Sequence, residues 1–127
     1  MKTKSYASLK RRLDKVFSEW IRRKDCSAYG QAMCVSCGAV GHWRSMQCGH
    51  FVSRVRLATR WNVENCAVQC ARCNIFLRGN AVGYARWLEK RYGSDIFARL
   101  DEKSRQSVKF TRADLQAMID NYAEKLK

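Results

Sequence analysis

Two Cys-x2-Cys pairs, Cys34/Cys37 and Cys70/Cys73, limit what this chain can fold into more than any other feature. A two-residue gap lets both thiolates of a knuckle grip one ion, and two knuckles complete a tetrahedral sphere. Such pairs must meet in space, and the stretch between them becomes a loop closed on a structural zinc. Four buried, inert cysteines are the alternative, but the repeated spacing favours metal. Seven cysteines is an odd count, which argues against a complete disulfide framework and for thiolates in a reducing compartment. Cys26 has the wrong gap to Cys34 to join a knuckle.

The charge points to a polyanionic partner. The chain carries 25 Lys+Arg against 11 Asp+Glu, a net +14. No single tail holds it: residues 1–33 have nine basic and three acidic residues, 34–80 six and one, and 81–127 ten and seven. The zinc segment is thus nearly free of carboxylates, and nucleic acid is the natural partner. A basic surface that only confers solubility is the bland alternative. No apolar run reaches transmembrane length, and MKTKSYASLKRR lacks the apolar core of a signal peptide. The expectation is therefore a cytosolic protein with no membrane partner.

The chain of 127 residues suits a single α+β domain: a basic helix within 1–33, a zinc core over 34–80, and helices over 81–127. Residues 5–25 read as a helix, with Leu9, Leu13, Val16, Phe17, Trp20 and Ile21 on one stripe and Ser5 or Ser8 as cap. Residues 26–33 read as loop, and Gly38 to Gly41 as a turn. Met46 to Val52 reads as a strand, with Leu57 to Val63 as its antiparallel partner and a basic connection between them. From Ala71 to Arg78 the pattern turns helical, with Gly79 as stop and Asn80 as a fresh N-cap. Helices follow over 81–92, from Ser94 to about Leu100, and from a Thr111/Asp114 capping box to about Leu126.

His50 falls on the predicted first strand, Asn65 near the end of the second, and Asn74 directly after Cys73. A His and two Asn laid on two strands and a helix outline an HNH site. There the ion polarises a phosphodiester, His takes a proton from water, and the middle Asn holds the His loop through backbone hydrogen bonds. Arg54, Arg56 and Arg60 lie near the inter-strand loop, and Arg72 and Arg78 on the helix, where they could hold phosphates or simply face solvent. His42 reads as a structural partner of Trp43, with a phosphate contact as the alternative, and Trp61 as core, with Trp87 less clear. Cys48 and Cys66 read as small strand residues. Alternation puts Cys48 on the same face as His50, which leaves open a swap of one of them for the fourth ligand of the ion. Glu64 reads as an exposed turn residue.

The segment resembles the zinc-containing HNH, or ββα-metal, endonucleases, and among them the NinG (Rap) recombination proteins of lambdoid phages. The matching residues are Cys34-x2-Cys37-Gly38, His42-Trp43, Met46-Gln47, Gly49-His50-Phe51, Asn65, Gln69-Cys70, Cys73-Asn74-Ile75-Phe76 and Gly79-Asn80. Leu13, Phe17, Ile21, Arg23 and Asp25 extend the likeness over roughly residues 8–92. The resemblance implies a structural zinc on Cys34, Cys37, Cys70 and Cys73, with His50 as general base and Asn65 as organiser. It implies Asn74, with His50, at a catalytic Mg²⁺ or Mn²⁺. It further implies metal-dependent cleavage of branched DNA (Holliday junctions, D-loops, flaps) in phage recombination. A homodimer would suit two-strand cutting. One departure stands out: Gly49 occupies the place where many HNH enzymes carry an acidic or His ligand. Water, backbone, Asn80, Glu64 or substrate phosphate would have to complete the site. The competing readings are a non-catalytic zinc module that binds nucleic acid and a zinc-stabilised protein-interaction domain.

Overall fold

A computed structural model describes residues 4–127. Helix α1 spans Tyr6–Arg23, and its start is capped by Ser5, whose Oγ accepts the Ser8 N–H at 3.1 Å. Two small antiparallel sheets follow. Strands β1 (Gln31–Met33) and β2 (Val40–His42) make a short hairpin that carries the first knuckle, with Gln31 opposite His42. Strand β3 (Gln47–His50) pairs with β4 (Cys66–Gln69), with Gln47 opposite Gln69 and His50 opposite Cys66. A one-turn helix α2 (Leu57–Arg60) lies between them. A π-helical turn, Arg72–Phe76, carries the second knuckle into helix α3 (Ala81–Tyr92). Helices α4 (Ile96–Ser104) and α5 (Arg112–Lys125) end the chain. The architecture is α+β, as expected.

Two apolar cores meet at β4. The first joins Leu9, Leu13, Phe17 and Ile21 of α1 to Leu115, Ile119 and Tyr122 of α5, with Trp61 and Cys66. Leu13 and Leu115 are wholly buried, and Phe17 nearly so. Each such side chain contributes roughly 1.5–3 kcal/mol over its exposed state. The second core gathers Tyr84 and Leu88 of α3, Ile96 and Leu100 of α4, and Ala67. Cys66 faces one core and its neighbour Ala67 the other, so β4 is buried on both sides.

That double burial explains the main departure from the expected strands. The partner of β3 is Cys66–Gln69, not Leu57 to Val63. Thr59 and Trp61 are indeed buried and Leu57 and Val63 half-buried. The backbone reaches those positions through α2 and a 3₁₀ turn at Val63–Asn65 instead. Asn62 caps that turn by accepting the Glu64 N–H at 2.8 Å. A strand buried on both faces does not alternate, so β4 left no such pattern to read.

Smaller differences follow local hydrogen bonding. Residues 26–33 hold strand β1, and the expected turn at 38–41 ends in β2. The helix after the second knuckle is a π turn closed by Leu77 N–H to Arg72 O at 2.9 Å. Asp95, not Ser94, precedes α4, which runs on to Ser104. The Thr111/Asp114 capping box forms with both reciprocal bonds.

Candidate functional site

The four knuckle cysteines converge. Cys34 comes from the end of β1, Cys37 from the turn after it, and Cys70 and Cys73 from the end of β4 and the π turn. Their ligand atoms all lie within 4.8 Å of one another. Cys37 Sγ and Cys70 Sγ are 3.7 Å apart. Sulfurs at the corners of a tetrahedron with bonds of ~2.3 Å are separated by about 3.8 Å. The Cys34 carbonyl accepts the Gly38 N–H at 2.9 Å, and Gly38 takes φ +81°, which the tight knuckle turn requires. Helix α3 packs directly on this knuckle: a Cβ at Gly83 would collide with the Ser36 carbonyl.

The thiols compete for protons. Burial raises the Cys70 thiol, but the Cys73 backbone N–H and the surrounding thiols outweigh that and bring it down to about 7. Cys73 goes the other way, pushed up to about 12, first by burial and then by its sulfur neighbours. A dication removes this conflict by stabilising all four as thiolates. Two N–H···S contacts are already in place: Cys73 N–H to Cys70 Sγ at 3.5 Å, and Asn80 Nδ2 to Cys73 Sγ at 3.4 Å. Asn80, at φ +41°, therefore serves the cluster and makes no side-chain cap on α3. The cluster can hold a structural ion such as zinc.

Beside the cluster opens a cleft of about 540 Å³. His50 at the end of β3, Asn74 on the π turn, and Arg54 and Arg78 on its rim all line it, with Asp14 and Cys48. The His50 Nε2 lies 2.8 Å from the Arg60 carbonyl oxygen. With Nε2–H donating there, the lone pair falls on Nδ1. Burial holds the His50 pKa below its usual 6.5, against the opposing pull of the Arg60 carbonyl and Asp14. The imidazole is neutral at pH 7.

Asn65 sits where the loop from β3 returns to β4, and it is wholly buried. Its Oδ1 accepts the Val52 N–H at 2.8 Å, while Nδ2 donates to Val52 O at 3.0 Å and Thr59 O at 3.1 Å. These three bonds pin both ends of the loop that carries Arg54 and delivers the Arg60 carbonyl to His50.

The arginines separate into groups. Arg54 and Arg78 are exposed at the cleft, and Arg78 has φ +49°. Arg56 and Arg72 are exposed but do not line it. Arg60 is half-buried and engaged: its Nε and Nη2 donate to the two Asp14 carboxylate oxygens at 3.0 and 2.5 Å. Trp61 Nε1 donates to the same carboxylate at 3.0 Å. Burial raises the Asp14 pKa, yet the Arg60 guanidinium and the Trp61 N–H bring it below 3.8.

Asp14 and Gln69 escaped the sequence reading of roles. Asp14 is the carboxylate of an otherwise basic helix face, one position from buried Leu13, and that placement was its only signal. Gln69 explains Gly49. A Cβ at position 49 would fall inside the Gln69 amide, so the strand there accepts no side chain. Gln69 Nε2 donates to Ser36 Oγ and Gly79 O, both at 2.7 Å, tying β4 to both knuckles. Its Oε1 is buried without a partner among the described residues. Glu64 lies away from the cleft, paired with Arg99 of α4 at 2.9 Å. His42 accepts the Arg44 N–H at 3.1 Å and packs beside Trp43, a structural role. Trp61 is core, and Trp87 packs half-buried on Tyr84 of the second core. Among the described residues, no helix is long and apolar enough to cross a membrane.

Searches of curated proteins and of solved structures return no match to this chain. A family model does match, described as the Bacteriophage Lambda NinG protein, and it spans residues 1–127. The match takes in the C-terminal helices, for which the sequence motifs offered no likeness. The chain belongs to the NinG family.

Proposed function

We propose that this NinG-family protein is a metal-dependent DNA endonuclease of the HNH class, acting on branched DNA in phage recombination. One observation carries the reading: His50 and Asn74 share a single basic-rimmed cleft, and His50 enters it neutral with Nε2 held by the Arg60 carbonyl. A base needs a free lone pair and a fixed ring, and this arrangement supplies both.

The donors near the cleft suit a hard cation only in part. Asn74 offers an amide oxygen, while His50 keeps its one free nitrogen, Nδ1, for the proton, and the Asp14 carboxylate is already occupied by Arg60 and Trp61. Mg²⁺ or Mn²⁺ wants about six ligands, mostly oxygen. Water and the substrate phosphate would supply the rest, so DNA and ion bind together. The ion, when bound, polarises the phosphodiester and stabilises the leaving 3′ oxygen. His50 Nδ1 takes the proton of the attacking water. Asn65 keeps the loop, and so the imidazole, in place. Arg54 and Arg78 hold flanking phosphates, with Arg56 and Arg72 extending the basic track. Arg60 acts through Asp14 and its own carbonyl more than through DNA.

Labelled four-way junction, flap and linear duplex, each with Mg²⁺ or Mn²⁺, test this. Cleavage of the branched substrates should vanish in His50→Ala with binding kept. Salt-sensitive binding with no cleavage in either metal would favour a non-catalytic nucleic-acid module instead.

A further inference from the structure

Cys48 and Cys66 take no part in the chemistry described so far, yet the sheet brings them to His50. In the β3–β4 register His50 stands opposite Cys66, and Cys48 opposite Val68. Alternation puts Cys48 on the His50 side of β3. Two sulfurs and one imidazole nitrogen thereby come within 4.8 Å of one another. Cys66 is only 2% exposed, whereas Cys48 and His50 both line the cleft, which gives an ion its way in.

The donor set is soft. Thiolate with imidazole selects zinc-class ions, while Mg²⁺ and Mn²⁺ prefer oxygen. A tetrahedral ion with bonds of about 2.0–2.3 Å needs its donors roughly 3.5–3.8 Å apart, a distance that side-chain rotation reaches from here. The surroundings resemble a metal site too. Metal-bound imidazoles commonly rest their second ring nitrogen on a backbone carbonyl. The Arg60 carbonyl lies 2.8 Å from His50 Nε2 and 3.7 Å from Cys66 Sγ. A disulfide is the rival fate of two close thiols. Cys48 and Cys66 are diagonal rather than directly opposite, however, and the imidazole completes a three-donor set that a disulfide would leave unused.

We propose that Cys48, His50 and Cys66 form a second metal site, separate from the four-cysteine cluster, which takes one zinc-class ion with its fourth position open to the cleft. Each thiol that becomes a ligand releases its proton to solvent. A consequence rests on the nuclease reading: an imidazole holding a soft ion cannot also serve as base, so occupancy turns cleavage off.

The test uses the full chain, reduced and carrying one zinc per chain, titrated with Co²⁺. One further ion should bind, with thiolate-to-cobalt charge-transfer absorption and proton release. Cys48→Ala, and separately Cys66→Ala, which removes the sulfur without overfilling the buried strand position, should abolish that second ion and keep the zinc. No second ion, or a second ion that survives both substitutions, overturns the proposal. So does a wild-type mass lower by two hydrogens, the mark of a disulfide. If the chain cleaves junctions, excess zinc should slow it at least tenfold, and Cys48→Ala should resist. A chain that binds the second ion, yet cleaves nothing with Mg²⁺ or Mn²⁺ before that ion is added, would uphold the site and refute the nuclease reading.

Discussion

Replacing Asn65 by Ala should destabilise the fold by about 3 kcal/mol. The side chain is wholly buried and makes three hydrogen bonds, at 2.8, 3.0 and 3.1 Å. A neutral hydrogen bond contributes roughly 1 kcal/mol net, and an orphaned buried group costs about 1–3 kcal/mol. Asn65→Ala strands one N–H and two carbonyls, although local relaxation can let water reach some of them. Three bonds at the net value set the expected loss. A domain of this size has only about 5–15 kcal/mol in total. Urea unfolding, followed by tryptophan fluorescence at fixed zinc, should show the midpoint fall by on the order of 1–2 M. Exchange of the Val52 amide should quicken about a hundredfold, since ~1.4 kcal/mol is a factor of ten. Asn65→Asp should be at least as damaging, because it keeps the acceptor but points a carboxylate at two carbonyls. A loss under about 1 kcal/mol, with Val52 exchange unchanged, would refute the claim that Asn65 locks the loop.

Three other outcomes are expected. Chelation of the ion held by Cys34, Cys37, Cys70 and Cys73 should unfold the segment between the knuckles, read by loss of circular dichroism and gain of protease sensitivity; full thermal stability without metal would contradict it. Gly49→Ala should lower the melting temperature through collision with Gln69, and Gly49→Ala with Gln69→Ala should recover part of the loss. An equally damaging double variant would mean that the collision is not the cause. The folded-state pKa of His50 is depressed below 6.5. Its contribution to stability is thus complete above 6.5 and lost as pH falls through the folded value, and the acid limb of cleavage should have its midpoint below 6.5. A midpoint above 6.5 would show that another group is the base.

The parts of the site legible in the sequence were those whose chemistry depends on spacing along the chain. Cys-x2-Cys brings two thiolates to one point whatever the rest of the fold does. The stripe of Leu9, Leu13, Phe17 and Ile21 repeats at helical spacing, and the Thr111/Asp114 box closes on itself within one turn. The second strand was misplaced because Leu57, Thr59, Trp61 and Val63 pack inward without being extended, while Cys66–Gln69 is extended without alternating. Arg60 looked like any other basic loop residue. Its partner lies on α1, 46 positions away, and no local pattern links the two.

The sequence by itself determined that two knuckles can close on one ion and that His50, Asn65 and Asn74 fall between or directly beside them. Backbone reach and ligand spacing settle that before any packing occurs. Tertiary structure alone decided that α1 brings Asp14 to Arg60, that Gln69 occupies the space beside Gly49, and that β4 between two cores sets Cys66 opposite His50. These are contacts between distant elements, and they exist only once both cores have packed.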